Sequence, residues 1–160
     1  STDDEIELFL NGKSMGRKPV GKGERYIATF EIVYEAGELT AIGYKKGIET
    51  SRSTLKTAGR PASIRLTPDR SVLKAEVVDA EGNVVHNVSN NIYFTVYGVG
   101  SLLAVGSGNP ITEEMYIGNQ RRVYEGRAMV VIRSNGEEGQ IILTAAAEGL
   151  PTVNTTILVK

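Results

Sequence analysis

The sequence has no cysteine and no tryptophan, and a single histidine among 160 residues. Without Cys there is no disulfide framework and no thiolate chemistry. With one His as well, a zinc site of the usual Cys and His ligands is all but excluded. His86 follows Val84-Val85 in a stretch that reads as a loop, with no sequence context for a Ser-His-Asp set. An excess of charge is missing too: 18 basic residues against 19 acidic leave a net charge of −1, which is no footprint for nucleic acid. No apolar run approaches the roughly 20 residues of a membrane-spanning helix. Neither nucleic acid nor a membrane is therefore expected as a partner, and no cofactor is expected. The first residues, Ser-Thr-Asp-Asp-Glu, are acidic and do not read as a signal peptide. Helical periodicity is also absent. No segment longer than about ten residues places apolar residues at i, i+3 and i+4.

Period-two alternation is what the chain has in abundance. Ile6, Leu8 and Leu10 share a face. Tyr26, Ala28, Phe30, Ile32 and Tyr34 form a second row, and Ile64 with Leu66 a third. Leu73, Ala75 and Val77 follow, then Ile92, Phe94 and Val96, then Ala128, Val130 and Ile132. Ile141, Leu143, Ala145 and Ala147 precede Val153, Thr155, Ile157 and Val159. Turn signals such as Asn11-Gly12, Lys46-Gly47, Gly98-Val99-Gly100 and Asn135-Gly136 separate the rows. The expected fold is all-β: two tandem immunoglobulin-like β-sandwich domains. Thr57-Ala58-Gly59-Arg60-Pro61 is the best boundary, because Pro61 cannot donate to a ladder. The expected domains are 1–57 and 62–160, joined by a linker at 58–61. The second span holds seven or more strands in about a hundred residues, one sandwich. The first holds about four or five, so it is expected to be small or truncated. Ile6 already lies in a strand row, so the chain reads like a cut into a longer one.

Several motifs suggest chemistry and fail on context. Gly12-Lys13-Ser14 resembles the end of a phosphate-binding loop. That loop needs a glycine at position 7, which is Glu, and a helix after Ser14, where Met15-Gly16-Arg17-Lys18-Pro19 stands. A type I′ turn at Asn11-Gly12 explains the stretch better. Asp79 to Asn83 resembles a calcium loop, but Gly82 is fourth rather than sixth and the twelfth position is Asn90. A hairpin turn with Gly82 at positive φ is the better reading. The adjacent carboxylates Asp3-Asp4, Glu113-Glu114 and Glu137-Glu138 lie at a terminus or in turns, where solvation keeps them ordinary acids. They lack the buried setting of a glycosidase general acid. Asn87-Val88-Ser89 and Asn154-Thr155-Thr156 fit the glycosylation pattern, which matters only in a eukaryotic secretory route. Sugar binding without catalysis needs aromatic platforms and polar partners. Tyr116 is the most loop-like tyrosine, and with Asn109, Glu114 and Arg122 it forms the candidate glycan or interdomain contact surface. The plainer alternative is a loop crossing the end of the sandwich.

Longer segments carry a resemblance. "DEIELFLNGKSMGRKP", "YEAGELTAIGYKKG" and "TLKTAGRPASIRLTPDR" resemble the accessory domain after the catalytic barrel of bacterial β-galactosidases of glycoside hydrolase family 2. "LKAEVVDAEGNVV", "NIYFTVYGVGSLLAVGSGNP" and "YEGRAMVVIRSNGEEGQIILTAAAEGL" resemble the immunoglobulin-like domain that comes next. The resemblance covers nearly the whole chain in the same order. It implies a non-catalytic C-terminal scaffold region whose partners are the TIM barrel and the other domains of a parent enzyme; a glycan would be a partner under the carbohydrate-binding alternative. It also implies a bacterial protein of the periplasm or exterior, with any export signal outside this fragment. The family's two catalytic glutamates belong to the barrel, and no catalytic residue carries over to these positions. A carbohydrate-binding module and an adhesin-like immunoglobulin-type spacer remain the alternatives.

Overall fold

Asn11 and Gly12 both take positive φ, 51° and 78°, as the type I′ turn requires. They join β1 (Glu5–Leu10) to β2 (Lys13–Pro19). Lys46 and Gly47 repeat the device, at 50° and 79°, between β3 (Glu38–Lys45) and β4 (Ile48–Lys56). In this computed structural model, which describes residues 2–160, the chain divides into two units, Ser1–Thr57 and Ala58–Lys160.

The first unit is one antiparallel sheet in the order β2-β1-β3-β4. Leu8, Leu10, Val20 and Ile42 are its buried apolar side chains. Polar clasps supplement this small core. Asp3 is buried and accepts from the Thr50 and Ser51 hydroxyls, the latter at 2.7 Å. Gly43 makes room for it, since a Cβ there would lie 2.1 Å from Asp3 Oδ2. Asn11 Oδ1 accepts from the Glu38 amide at 2.8 Å, and its Nδ2 donates to the Ala36 carbonyl at 3.1 Å.

The row Tyr26 to Tyr34, expected as a strand, is not one: residues 27–35 lie outside every sheet. Alternation encodes an extended backbone with two faces, but a strand also needs a neighbour for its ladder. None takes this segment up. Lys18 holds it instead, donating to the Thr29 carbonyl at 2.7 Å with its ammonium 5.2 Å from the Phe30 ring centroid.

The second unit contains β5 (Ser63–Asp69), β6 (Val72–Val78), β7 (Asn91–Gly98), β8 (Gly100–Gly106), β9 (Gln120–Arg122), β10 (Arg127–Ser134), β11 (Gly139–Ala147) and β12 (Val153–Val159). They form two antiparallel sheets, β5-β6-β10-β8 and β12-β11-β7-β9. Inward rows from both meet in one core that includes Leu73, Val77, Ile92, Phe94, Val130 and Leu143. This is an immunoglobulin-like β-sandwich. Gly98, at φ 90°, turns the chain from one sheet to the other; a Cβ there would lie 1.9 Å from the Gln140 carbonyl oxygen. Residues 58–61 are tied to this unit: Ala58 packs on its core and the Gly59 amide donates to Asp79 at 2.8 Å.

Two buried carboxylates brace the sandwich. Asp79 accepts from the amides of Gly59, Glu81 and Asn83 and from the Asn83 side chain. Gly82 takes φ 85° in the turn. The Gly59 amide outweighs burial, and with Asn83 and Glu81 it holds the Asp79 carboxyl below its ordinary pKa. Glu76 lies on β6 in register with Arg65 on one side and Arg127 on the other. Arg65 Nη2 reaches it at 2.8 Å and Arg127 Nε at 3.3 Å. Burial pushes its pKa up; the Arg65 hydrogen bonds and charge, helped by Lys74 and Arg127, bring it below the usual value.

Candidate functional site

The loop of residues 107–119 joins β8 of one sheet to β9 of the other. Its backbone is attached at both sides. The Val105 amide donates to the Tyr116 carbonyl at 2.8 Å, and the Phe94 amide to the Asn119 carbonyl at 2.7 Å. β9 pairs with the start of β7: Gln120 opposite Tyr93, Arg121 opposite Ile92, Arg122 opposite Asn91. Ile92 faces the core, so by alternation Arg121 does too, while Gln120 and Arg122 face out.

Arg121 is therefore 0% exposed, the largest fully buried side chain among the described residues. Its guanidinium organises the loop above it. Nη1 donates to the carbonyls of Glu114 (3.0 Å) and Met115 (3.4 Å), and Nε to Ser107 Oγ (3.2 Å). The Glu114 carboxylate lies 3.8 Å from Nε, and the Tyr116 ring centroid 5.3 Å from the guanidinium carbon. Nη2 has no hydrogen-bond partner.

Glu114 is the second brace. Oε2 accepts from the Thr112 hydroxyl at 3.2 Å and Oε1 from the Arg122 amide at 3.3 Å. Asn109 Oδ1 accepts from the Ile111 amide at 3.1 Å. Asn109, Glu114 and Arg122 line one open hollow with Ile111, Thr112 and Glu113. Tyr116 does not join them. It lies by Arg121 and close to Gly106, where an added Cβ would be 3.7 Å from its ring. The structure thus brings three of the four sequence candidates together and sets the fourth apart.

Apolar side chains cover the outside of the same loop. Ile111 is 87% exposed and Ile117 80%, and Met115 and Tyr116 are exposed beside them. Ile111, Met115 and Ile117, and Arg121, were missed from the sequence; Tyr116 was not. The run Met115-Tyr116-Ile117 in a turn-rich stretch was the available signal for the apolar ones. Arg121 gave none, because two adjacent arginines do not reveal which faces inward.

The other chemical candidates serve as braces or stand alone. Asp4 accepts from the Lys46 amide at 2.9 Å, and Glu137 accepts from the Asn135 side chain at 3.2 Å. His86 is exposed. Among the described residues no group of three or more His, Cys, Asp or Glu is placed to hold a metal ion. Among the described residues no helix is long and apolar enough to cross a membrane.

Comparison with known proteins gives this geometry a context. The family model described as glycoside hydrolase family 2 C-terminal domain 5 matches residues 57–156. A second, described as a domain of unknown function (DUF4982), matches residues 1–51. A β-galactosidase of Bacteroides ovatus is 38% identical over 157 residues, which cover 92% of this chain and 18% of that protein. A β-glucuronidase of Formosa agariphila is 25% identical over 167 residues, covering 95% of this chain and 16% of the relative. A solved glycosyl hydrolase family 2 member from Bacteroides cellulosilyticus superposes with a TM-score of 0.94 at 31% identity, over 98% of this chain and 21% of its own. The chain thus spans about a fifth or less of the proteins it matches.

Proposed function

Because the chain belongs to the family of glycoside hydrolase family 2 C-terminal domains, we propose that it is a non-catalytic scaffold region that packs against other domains of a larger glycoside hydrolase. The observation that carries the reading is the exposed apolar row Ile111, Met115, Tyr116 and Ile117 on a loop whose backbone Arg121 and Glu114 brace. Apolar side chains gathered on a held loop mark a contact surface. The partner is a TIM barrel or a neighbouring domain of the same parent chain, and the parent cleaves β-glycosides. Residues 1–57 and 62–160 act as two domains joined by 58–61.

Relatives with different names support a role shared by both. One is a β-galactosidase and another a β-glucuronidase, and each contains a region like this one. A region common to the two serves the architecture rather than the choice of sugar. The family also favours a hydrolase part over an adhesin-type spacer. A location in the bacterial periplasm or outside the cell belongs to the same proposal, since polymeric glycans are met there.

The test uses the parent enzyme and this chain side by side. Alone, the 160 residues should release no nitrophenol from aryl galactosides or glucuronides; turnover would overturn the reading. In the parent, Ile117→Asp with Met115→Asp should lower the unfolding midpoint of the barrel or speed its inactivation. Unchanged barrel stability would remove this loop from the contact.

A further inference from the structure

A second hollow, of about 470 Å³, opens beside the start of β7. Asn87, Ser89, Asn90, Asn91, Tyr93 and Glu148 supply its polar and aromatic lining. Three pieces of chain converge there: the lead-in to β7, β7 itself and the turn after β11. The register explains the meeting, since Ala147 pairs with Ile92 and the next residue, Glu148, comes alongside Asn91. The size is that of a small-ligand site.

The lining selects a class of ligand. Three amides and the hydroxyls of Ser89 and Tyr93 both donate and accept, and the Glu148 carboxylate accepts. No Lys or Arg is among these residues, so an anion would meet only Glu148 and unfavourable charge. One carboxylate is also too few for a calcium ion, which takes 6–8 oxygens, commonly with several acidic ligands. Apolar lining is limited to Val88 and the Tyr93 ring, too little for a greasy ligand. A neutral sugar fits each count: hydroxyls that donate and accept, and a C–H face for an aromatic ring.

Asn91 adds an independent observation. Its Nδ2 donates to Gln120 Oε1 at 3.1 Å, which orients the amide. Its Oδ1 is buried and has no donor. A buried acceptor left unpaired is costly, and this one belongs to a residue that lines the hollow, so a small turn of the Asn91 amide toward the hollow would let a ligand hydroxyl satisfy it. Tyr93, one strand step of two residues further and 49% exposed, offers its ring on the same outward face.

We propose that the hollow formed by Asn87–Asn91, Tyr93 and Glu148 binds a neutral sugar unit of an oligosaccharide or polysaccharide. This goes beyond the scaffold role and does not depend on it. The site is distinct from the hollow around Glu114, although Asn91 and Arg122 are register partners at their border.

The experiment is affinity electrophoresis of the 160-residue chain through gels containing a neutral galactan, a neutral glucan or the anionic polygalacturonate, followed by calorimetry with oligosaccharides of any polymer that retards it. Retardation by a neutral polymer is expected. Tyr93→Ala should weaken binding roughly tenfold, and Asn91→Ala and Glu148→Gln several-fold each. All three should unfold within about 3 °C of the parent chain, so that lost binding is not lost folding. Absence of retardation in every neutral gel would overturn the proposal, as would preference for polygalacturonate. Wild-type binding by Tyr93→Ala together with Asn91→Ala would overturn it too. Loss of binding in Arg122→Ala with the three variants intact would move the site to the other hollow and overturn this placement. None of these results bears on turnover or barrel stability, which test the scaffold reading.

Discussion

The two units use the same antiparallel hydrogen bonding and end with very different interiors. In the sandwich, inward rows from two sheets close on each other, and Leu73, Ala75, Val77, Ile92 and Leu143 have no exposed surface. In the first unit, every residue of β2 and every residue of β4 is exposed. Ile48 and Leu55 on β4 face solvent although their types would suit a core. A sheet buries a face only where a second layer covers it. The first unit has one layer within its own span, so it leans on ladders, I′ turns and the clasps of Asp3 and Asn11. The second leans on packing.

The sharpest way to break this contrast is to cut into both cores. Leu143→Ala should cost the sandwich about 3–5 kcal/mol, because it leaves a cavity that two sheets cannot both close. Ile42→Ala in the first unit should cost nearer 2 kcal/mol, the low end for such truncations, since a single sheet relaxes more readily. Urea unfolding of the two variants compares them; equal losses would mean the first unit has a core as constrained as the second.

A clasp can be broken separately. Gly43→Ala puts a methyl where the Asp3 carboxylate and the Ser51 hydroxyl meet. The expected loss is about 2 kcal/mol, from a buried carboxylate deprived of its hydroxyl donors. It should appear in the first unit alone, read by amide exchange of β3 and β4. Protection unchanged there would show that the clasp adds little.

Acid separates the braces of the sandwich from its packing. The folded pKa values of Glu76 and Asp79 lie below their ordinary values of 4.5 and 3.8. Groups lowered in this way stabilise the fold above the unfolded pKa, and that contribution is lost as pH falls through the folded one. Sandwich stability should therefore be flat from pH 7 to about 5 and fall below about 4.5. Glu76→Gln should lose about 1.5–2 kcal/mol at pH 7, the range for a charge-assisted hydrogen bond, and show a shallower acid fall. A parallel acid profile for the variant would assign the fall to other groups.

The smallest effect is expected on β4. Leu55→Thr and Ile48→Thr should each change the stability of the 160-residue chain by less than about 0.5 kcal/mol, as surface changes do. A loss above 1 kcal/mol would mean that this face is covered, most simply by self-association, which sedimentation would detect.

Much of the fold was legible because its cause is local. Rows such as Leu73-Ala75-Val77 and Ile141 to Ala147 alternate in sequence and are buried in the structure. Asn11-Gly12 took the turn its residue types favour. The failures have a common origin. Tyr26 to Tyr34 alternates as cleanly as a strand, yet pairing depends on a neighbour that no local pattern describes. β9 is three residues long and hidden among turn residues, so it carries no period to detect. Of the candidate surface, the loop was visible from its turn composition, but not the separation of Tyr116 from Asn109, Glu114 and Arg122.

The sequence by itself determined that this protein is all-β, where its hairpins turn, and which side chains share a face. Those follow from backbone sterics and a two-residue period, which need no distant partner. Only the tertiary structure decided which faces are covered. Arg121 became the buried centre of a loop and Arg122 a surface residue because β9 aligned with Ile92 inward. Asn91 was left with an unpaired oxygen on a residue that shares a hollow with Glu148 of the turn after β11. Burial is a property of layers brought together from distant parts of the chain, and the energy of leaving or satisfying a polar group is set there.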